Sequence, residues 1–547
     1  MKKIIVLLVA SLLCTTACEK DDLKLVNPND PSLGSLSSED GLKSFALGIL
    51  EKPFGVLNSL EGGGNSAFMI AVAHHSIMGD DMYMPWGNWG VRWSAIYESV
   101  TLPNGSVNQH TLYPGISQQE FIQANNSRAA GEVNSFKYEW IAAYQTIGQC
   151  NYLLDALQGS IAFSGNADTK KKTLQAWALW WKGYMYSRIG SIYLAGLIVD
   201  EFGTTNAQYV DRNSIIAEAT ENFDAASAIL ATLDRDGDYD NIMNSIVMSF
   251  NDRSNIVSPE TWVRMINTYK ARNILVNKKI QDMTDADWTA VQNLAQNGMT
   301  AADNTFNLGM TPDGVNDLAD SFWHPAWLSN IGYGWWFVSE RLIQEYKPGD
   351  ERYTRAYDLL SIPEVNKRNR GLNFGTEHYF VNIEDGGMFA TADGTGLWPI
   401  GPTYEENELM LAEAKLRKSA PDIAGGLTHV DNVRNFQNAG LTPVSGVVND
   451  LAAAREEFRK ERRVALALRG LSFYDARRWN VTAPTSQGGG RSDAHIMVPA
   501  NLYDPESDGL PGVYPCQIVY NYMDYWDLPA DELDFNKPIE GSANVKN

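Results

Sequence analysis

Cysteine is scarce: the chain has four in 547 residues, and two of them, Cys14 and Cys18, fall within the first eighteen positions. Cys150 and Cys516 are left, too few for a disulfide framework and without zinc-site spacing, so both read as free thiols. Basic charge is also in deficit. The 66 acidic residues outnumber 44 basic ones, and the formal charge of −22 repels phosphate backbones and argues against a nucleic-acid partner. No apolar run spans a bilayer, because the best internal candidate, 177–199, carries Lys182 and Arg188. There is no HExxH, no GxSxG and no phosphate-cradling glycine loop. Strand alternation is sparse, with residues 373–385 the best case.

What is present starts at the amino terminus. Lys2 and Lys3 precede an apolar run from Ile4 to Leu13, and small residues lead to Cys18. Residues 1–17 thus read as a cleaved export signal. The approach to Cys18 resembles the lipobox of bacterial lipoproteins, which implies lipidation of Cys18 and anchoring to a membrane without crossing it. Residues 18–37, polar and rich in Asn, Pro and Ser, read as a flexible tether. The run Glu19-Lys20-Asp21-Asp22 is similar to a surface-export signal of Bacteroidetes lipoproteins, a solvated charge run being the plainer reading.

From 38 to 547 the chain reads as one mainly α domain. Apolar residues recur at helical spacing from Ser38, then over 135–157, 174–194, 215–233, 259–278, 288–294, 404–418 and 449–479. Consecutive pairs of such helices are what a helix-hairpin solenoid produces. Long irregular stretches rich in Gly, Asn and aromatics interrupt them, chiefly around 54–115 and 300–400, and such insertions are usually functional.

At the carboxyl end the segment 456–479, EEFRKERRVALALRGLSFYDARRW, resembles the signature helix of the SusD/RagB family of outer-membrane nutrient-binding lipoproteins. Glu461, Arg462, Gly470, Asp475, Arg478 and Trp479 carry the likeness, while Arg469 stands where the family usually has Glu. The segments 404–418, 432–441 and 528–536 agree in order, and 140–154 with 174–196 look like the family's paired tetratricopeptide-like helices. The resemblance implies a tetratricopeptide-like scaffold with little β. It also implies a non-enzymatic role: capture of an oligosaccharide or polysaccharide at the cell surface and delivery to a SusC-like TonB-dependent transporter. Taken alone, the charged half of 456–479 has the i,i+3 and i,i+4 pairs of a solvated face, with Phe458, Ala465, Leu468, Phe473 and Trp479 as core residues.

Sugars present an apolar C–H face and a polar rim, which an aromatic plane flanked by polar groups matches. Two loops offer that chemistry. In 80–93 the rings of Tyr83, Trp86, Trp89 and Trp93 stand beside Asp80, Asp81, Asn88 and Arg92; in 321–337 Trp323, Trp327, Trp335 and Trp336 alternate with Gly and Pro. Glycine and proline oppose a helix here, so these rings are expected to face outward, with Trp89 and Trp335 leading. The plain alternative is that each loop folds over its own rings.

His74-His75 is a poor metal pair, since adjacent helical side chains diverge. Asp234, Asp236, Asp238 and Asp240 alternate like a calcium loop, but the glycine and the closing glutamate are out of place, so a solvated acidic turn is favoured over structural calcium. Two alternatives to glycan capture stay open in the sequence, a RagB-like peptide-binding lipoprotein and a glycoside hydrolase on a helical toroid using two carboxylates.

Overall fold

The structure, a computed structural model, describes residues 35–54, 66–85, 87–95, 97–109, 116–247, 256–310, 336–365, 375–392, 394, 396–503 and 511–547. Antiparallel helix pairs dominate it. Helix Lys137–Ala156 packs on Ala167–Ile192, which packs on Arg212–Leu230; Pro259–Val276 packs on Asp285–Gln296; Tyr404–Arg417 packs on Ile423–Phe436, and Leu451–Ala465 lies across that pair.

Local chemistry sets many of these starts. Ser258 Oγ accepts from the Thr261 amide ahead of Pro259, whose fixed φ suits a first helical position. Thr284 and Asp287 close a capping box. Packing supplies the rest. Trp177, Trp180 and Trp181 are all buried, and the Trp180 ring lies 5.0 Å from Trp262 and 5.6 Å from Phe306, centroid to centroid, in near edge-on contacts. Much of the chain's aromatic content is therefore core, where such rings bury the most apolar area.

Strands are short and antiparallel. The largest sheet has the order Arg491–Val498, Gly512–Val519, Ser99–Thr101, Val107–Gln109. The strand expected within 373–385 is Gly375–Phe380, paired with Tyr357–Val365. Cys150 and Cys516 are buried free thiols. Among the described residues no helix is long and apolar enough to cross a membrane.

The signature segment corrects two expectations. It is two helices, Leu451–Ala465 and Ser472–Arg478, broken where Leu468 and Gly470 take positive φ of 60° and 70°. Much of its charged half is also buried in ion pairs, several of them to residues distant in sequence. Glu461 receives Arg434 at 2.8 Å and Arg352 at 2.5 Å, Arg462 donates to Asp475 at 2.7 Å, and Arg478 reaches Asp475 and Glu413, each at 2.7 Å. Glu457 bonds Lys347 and Arg434. Of the five core residues expected there, four are buried and Trp479 is half-buried.

Candidate functional site

The described residues of the loop at 80–93 mostly turn inward. Gly79, which ends the buried helix Ala67–Met78, abuts Ser472 and the Phe473 amide so closely that a Cβ would collide with both. That close approach brings Asp80 and Asp81 under the signature helices. Asp81 accepts from Arg463 and from the Leu468 amide, both at 3.0 Å. Asp80 accepts from Arg491 at 2.9 Å, Arg341 at 3.3 Å, Tyr520 at 2.5 Å and Tyr97. Burial works to raise the Asp80 carboxyl, but Arg491 and Arg341 outweigh it and bring it down to about 2. Burial leaves the Asp81 carboxyl above its ordinary value despite Arg463. Both aspartates are clamps that hold the frame, which corrects the ligand-facing role expected of Asp81.

Trp89, Trp93 and Trp336 are likewise buried, at 8%, 5% and 3% exposure, so the expected outward orientation fails for them. Trp89 takes a positive φ of 53°, its carbonyl oxygen accepting from His74 Nε2 at 3.0 Å, and Trp93 meets Phe121 edge-on at 4.5 Å. The short helix Val91–Ser94 that follows Gly90 seats these rings, a turn too brief to show periodicity in sequence. Asn88 is half-buried beside them. Cys18, Trp86, Trp323, Trp327 and Trp335 lie outside the described residues, as do the side chains of Tyr83 and Arg92.

Three of the four aspartates at 234–240 have partners within the protein. Asp236 caps the helix Gly237–Ile246, Asp238 accepts from the Asn166 amide at 2.8 Å, and Asp240 pairs with Arg235 at 3.0 Å. His74 bonds Ser94 and His75 bonds Glu139, so neither histidine joins a ligand set with its neighbour.

A cleft of about 580 Å³ opens elsewhere. Two of its walls come from the 300–400 stretch: the loop 303–306 leading into strand Asn307–Met310, and residues 389–391 with Leu397 and Pro399 of strand Gly396–Pro399, the two strands paired antiparallel. Thr403 closes the third side as the cap of helix Tyr404–Arg417, and Phe436 ends the neighbouring helix. Phe436 is 46% exposed, and its ring meets the half-buried Tyr404 at 4.8 Å in an edge-to-face pair. Across the cleft stands the half-buried Phe389, at a positive φ of 68°.

The polar rim is ordered by Arg469. It donates to Thr403 Oγ1 at 2.7 Å and to Glu405 at 2.9 Å, and its guanidinium lies 6.0 Å from the Phe389 ring centroid. Asn304 and Asn307 also face the cleft. Burial works to raise the Glu405 carboxyl, but Arg469 and the Gln437 amide outweigh it and hold it below the usual range. Asp303, the other carboxylate here, is brought down to about 2 against its burial by Arg264 and the Thr300 hydrogen bonds. Sequence reasoning missed Phe389, Tyr404 and Phe436. The signal was the position of Arg469, where the resemblance has an acid.

The architecture is a helical-repeat scaffold whose loop insertions wall this cleft. It is the SusD-like fold, as the carboxyl-terminal segment led us to expect. A SusD-like carbohydrate-binding protein from Bacteroides fragilis superposes with a TM-score of 0.57 over 91% of this chain and 98% of its own, at 16% identity. A second SusD-like protein from that species gives 0.54 over 92% and 96%, at 14% identity. A structure solved with xylogluco-oligosaccharide gives 0.55 over 94% and 98%, at 13% identity. No family model and no curated protein matches the sequence.

Proposed function

We propose that the protein is a non-catalytic binding protein that captures an oligosaccharide in the cleft between Phe436, Tyr404 and Phe389. The observation that carries this reading is the pairing of an exposed aromatic edge with a fixed polar rim. A sugar's C–H face lies on the Phe436 and Tyr404 rings, while Arg469, Asn304 and Asn307 meet its hydroxyls. The similarity to a SusD-like carbohydrate-binding protein and to a structure holding a xylogluco-oligosaccharide supports it.

The carboxylates support a role without chemistry. Glycoside hydrolysis needs one carboxylic acid kept protonated by a raised pKa, and among the described residues the two carboxyls lining the cleft are both held below the usual range. In this reading a lipid on Cys18 holds the chain to the outer face of the cell, the tether 18–37 gives it reach, and the ligand passes to a TonB-dependent outer-membrane transporter. Trp86, Trp323, Trp327 and Trp335 are candidates for further ligand rings.

Gel retardation against a panel of neutral polysaccharides tests it. Slowed migration in at least one, with no reducing sugar released on incubation, is expected. Migration unchanged throughout the panel, or release of reducing ends, contradicts it.

A further inference from the structure

A second cleft, of about 670 Å³, lies where helix Tyr404–Arg417 ends against helix Leu451–Ala465 and the start of strand Arg491–Val498. Its wall contains five arginines, Arg417, Arg455, Arg459, Arg478 and Arg491, in a protein of net charge −22. Three of them are neutralised. Arg459 makes a bidentate pair with Glu345 at 2.7 Å, Arg478 reaches Glu413 at 2.7 Å, and Arg491 reaches Asp80 at 2.9 Å.

The other two are matched less fully. Arg455 bonds the Leu416 carbonyl at 3.0 Å and has no ion pair among the described residues. The Arg417 Nε is buried without a hydrogen bond, and its ion pair is a long one of 3.8 Å to Glu413, a carboxylate it shares with Arg478. Burial, helped by the nearby Arg455 and Arg478 charges, holds Arg417 below the ordinary arginine range against the attraction of Glu413. Two like charges are thus held together, partly desolvated, on the wall of an open cleft, an arrangement that costs free energy until an anion enters.

We propose that this cleft is a second ligand site, taking the oxyanion groups of an acidic ligand, carboxylate or sulfate ester, between Arg417 and Arg455. Guanidinium forks match planar carboxylates and sulfate oxygens. The cleft's volume exceeds that of a lone ion, and the half-buried Trp479 ring lies on its wall, so an acidic saccharide fits it. That choice of carrier rests on the glycan reading above; the oxyanion site does not.

The test is calorimetry on the whole protein with inorganic sulfate in one arm and a uronic-acid oligosaccharide in the other. The variants are Arg417→Gln and Ala452→Glu. Ala452 is exposed on the cleft's helix in its first turn, where an acidic residue suits the helix dipole, so Ala452→Glu adds a competing carboxylate without disturbing packing. Both arms are expected to bind the wild type and to weaken at least tenfold in both variants. Sulfate binding alone, lost in the variants, supports the oxyanion site and removes the saccharide as its carrier. Binding of neither, or affinities that the variants leave unchanged, overturns the proposal. If the uronic-acid oligosaccharide binds while Phe436→Ala leaves neutral-glycan affinity untouched, it is the first reading that fails and not this one.

Discussion

The Phe436 ring stands edge-to-face with Tyr404, 4.8 Å between centroids, although the two residues end and begin different helices. The pairing fixes both rings at the mouth of the cleft and leaves one of them nearly half in water. An exposed aromatic held in place by a partner ring offers ligand area at little entropic cost.

Removing Arg469 should hurt the rim before the fold. Arg469→Met frees Thr403 and leaves Glu405 with the Gln437 amide, so the Glu405 carboxyl is expected to rise. A carboxyl depressed in the fold stabilises it above the ordinary carboxylate range and loses that contribution as pH falls through its folded value. In the variant the acid loss of stability should therefore begin at higher pH, with glycan affinity reduced. Chemical denaturation between pH 7 and pH 3 checks the first part, and an unmoved acid limb contradicts it.

Trp89→Ala is expected to destabilise the protein by about 3–5 kcal/mol, the usual cost of emptying a large buried aromatic site. The ring is buried and its backbone is tied to His74. A thermal melt decides it. A normal melting temperature with lost glycan binding would restore the outward-facing role that the sequence suggests.

Asp81→Ala leaves the Arg463 guanidinium, which is 2% exposed, without its carboxylate. Breaking such a pair from one side costs about 3–5 kcal/mol. Denaturant titration should show this drop, and the protein that remains folded should bind glycan as the wild type does. Weakened binding at full stability would point instead to Asp81 as a ligand contact.

His74 gives a pH dependence of a defined sign. Burial depresses its imidazole to about 4, so the folded state keeps the ring neutral. The unfolded chain takes up a proton below about 6.5, and stability falls as the pH drops from there towards 4, by about 3 kcal/mol. Burial lowers His75 as well, which steepens the same limb. In His74→Asn the slope should be shallower between pH 6.5 and pH 4.5; an identical slope would contradict this account.

Most of the longer helices were legible because their buried faces repeat at helical spacing, as Phe223, Ala226 and Leu230 do along Arg212–Leu230, whereas Ile423–Phe436 was not among those expected. Helix Ala67–Met78 was not, because all its residues are buried and no polar face marks a period. The break at 466–471 was hidden because a positive φ at Leu468 is stabilised by a distant partner, Asp81. The candidate site was half legible. The 300–400 stretch supplies two walls of the cleft, yet its tryptophans drew attention from Phe389. Tyr404 reads as an ordinary helix start, and Phe436 only as part of the segment 432–441, until the fold sets them side by side. Conversely, Gly and Pro around Trp89 and Trp93 signalled a loop correctly but not the direction in which it turns.

Calorimetric titration of Phe436→Ala with a neutral oligosaccharide that the wild type binds is the most direct test of the central claim. Phe436 is 46% exposed at a helix end, so the melting temperature should hold while affinity falls about tenfold, or about 1.4 kcal/mol. Affinity equal to that of the wild type in a stably folded variant would contradict the assignment of this cleft as the glycan site.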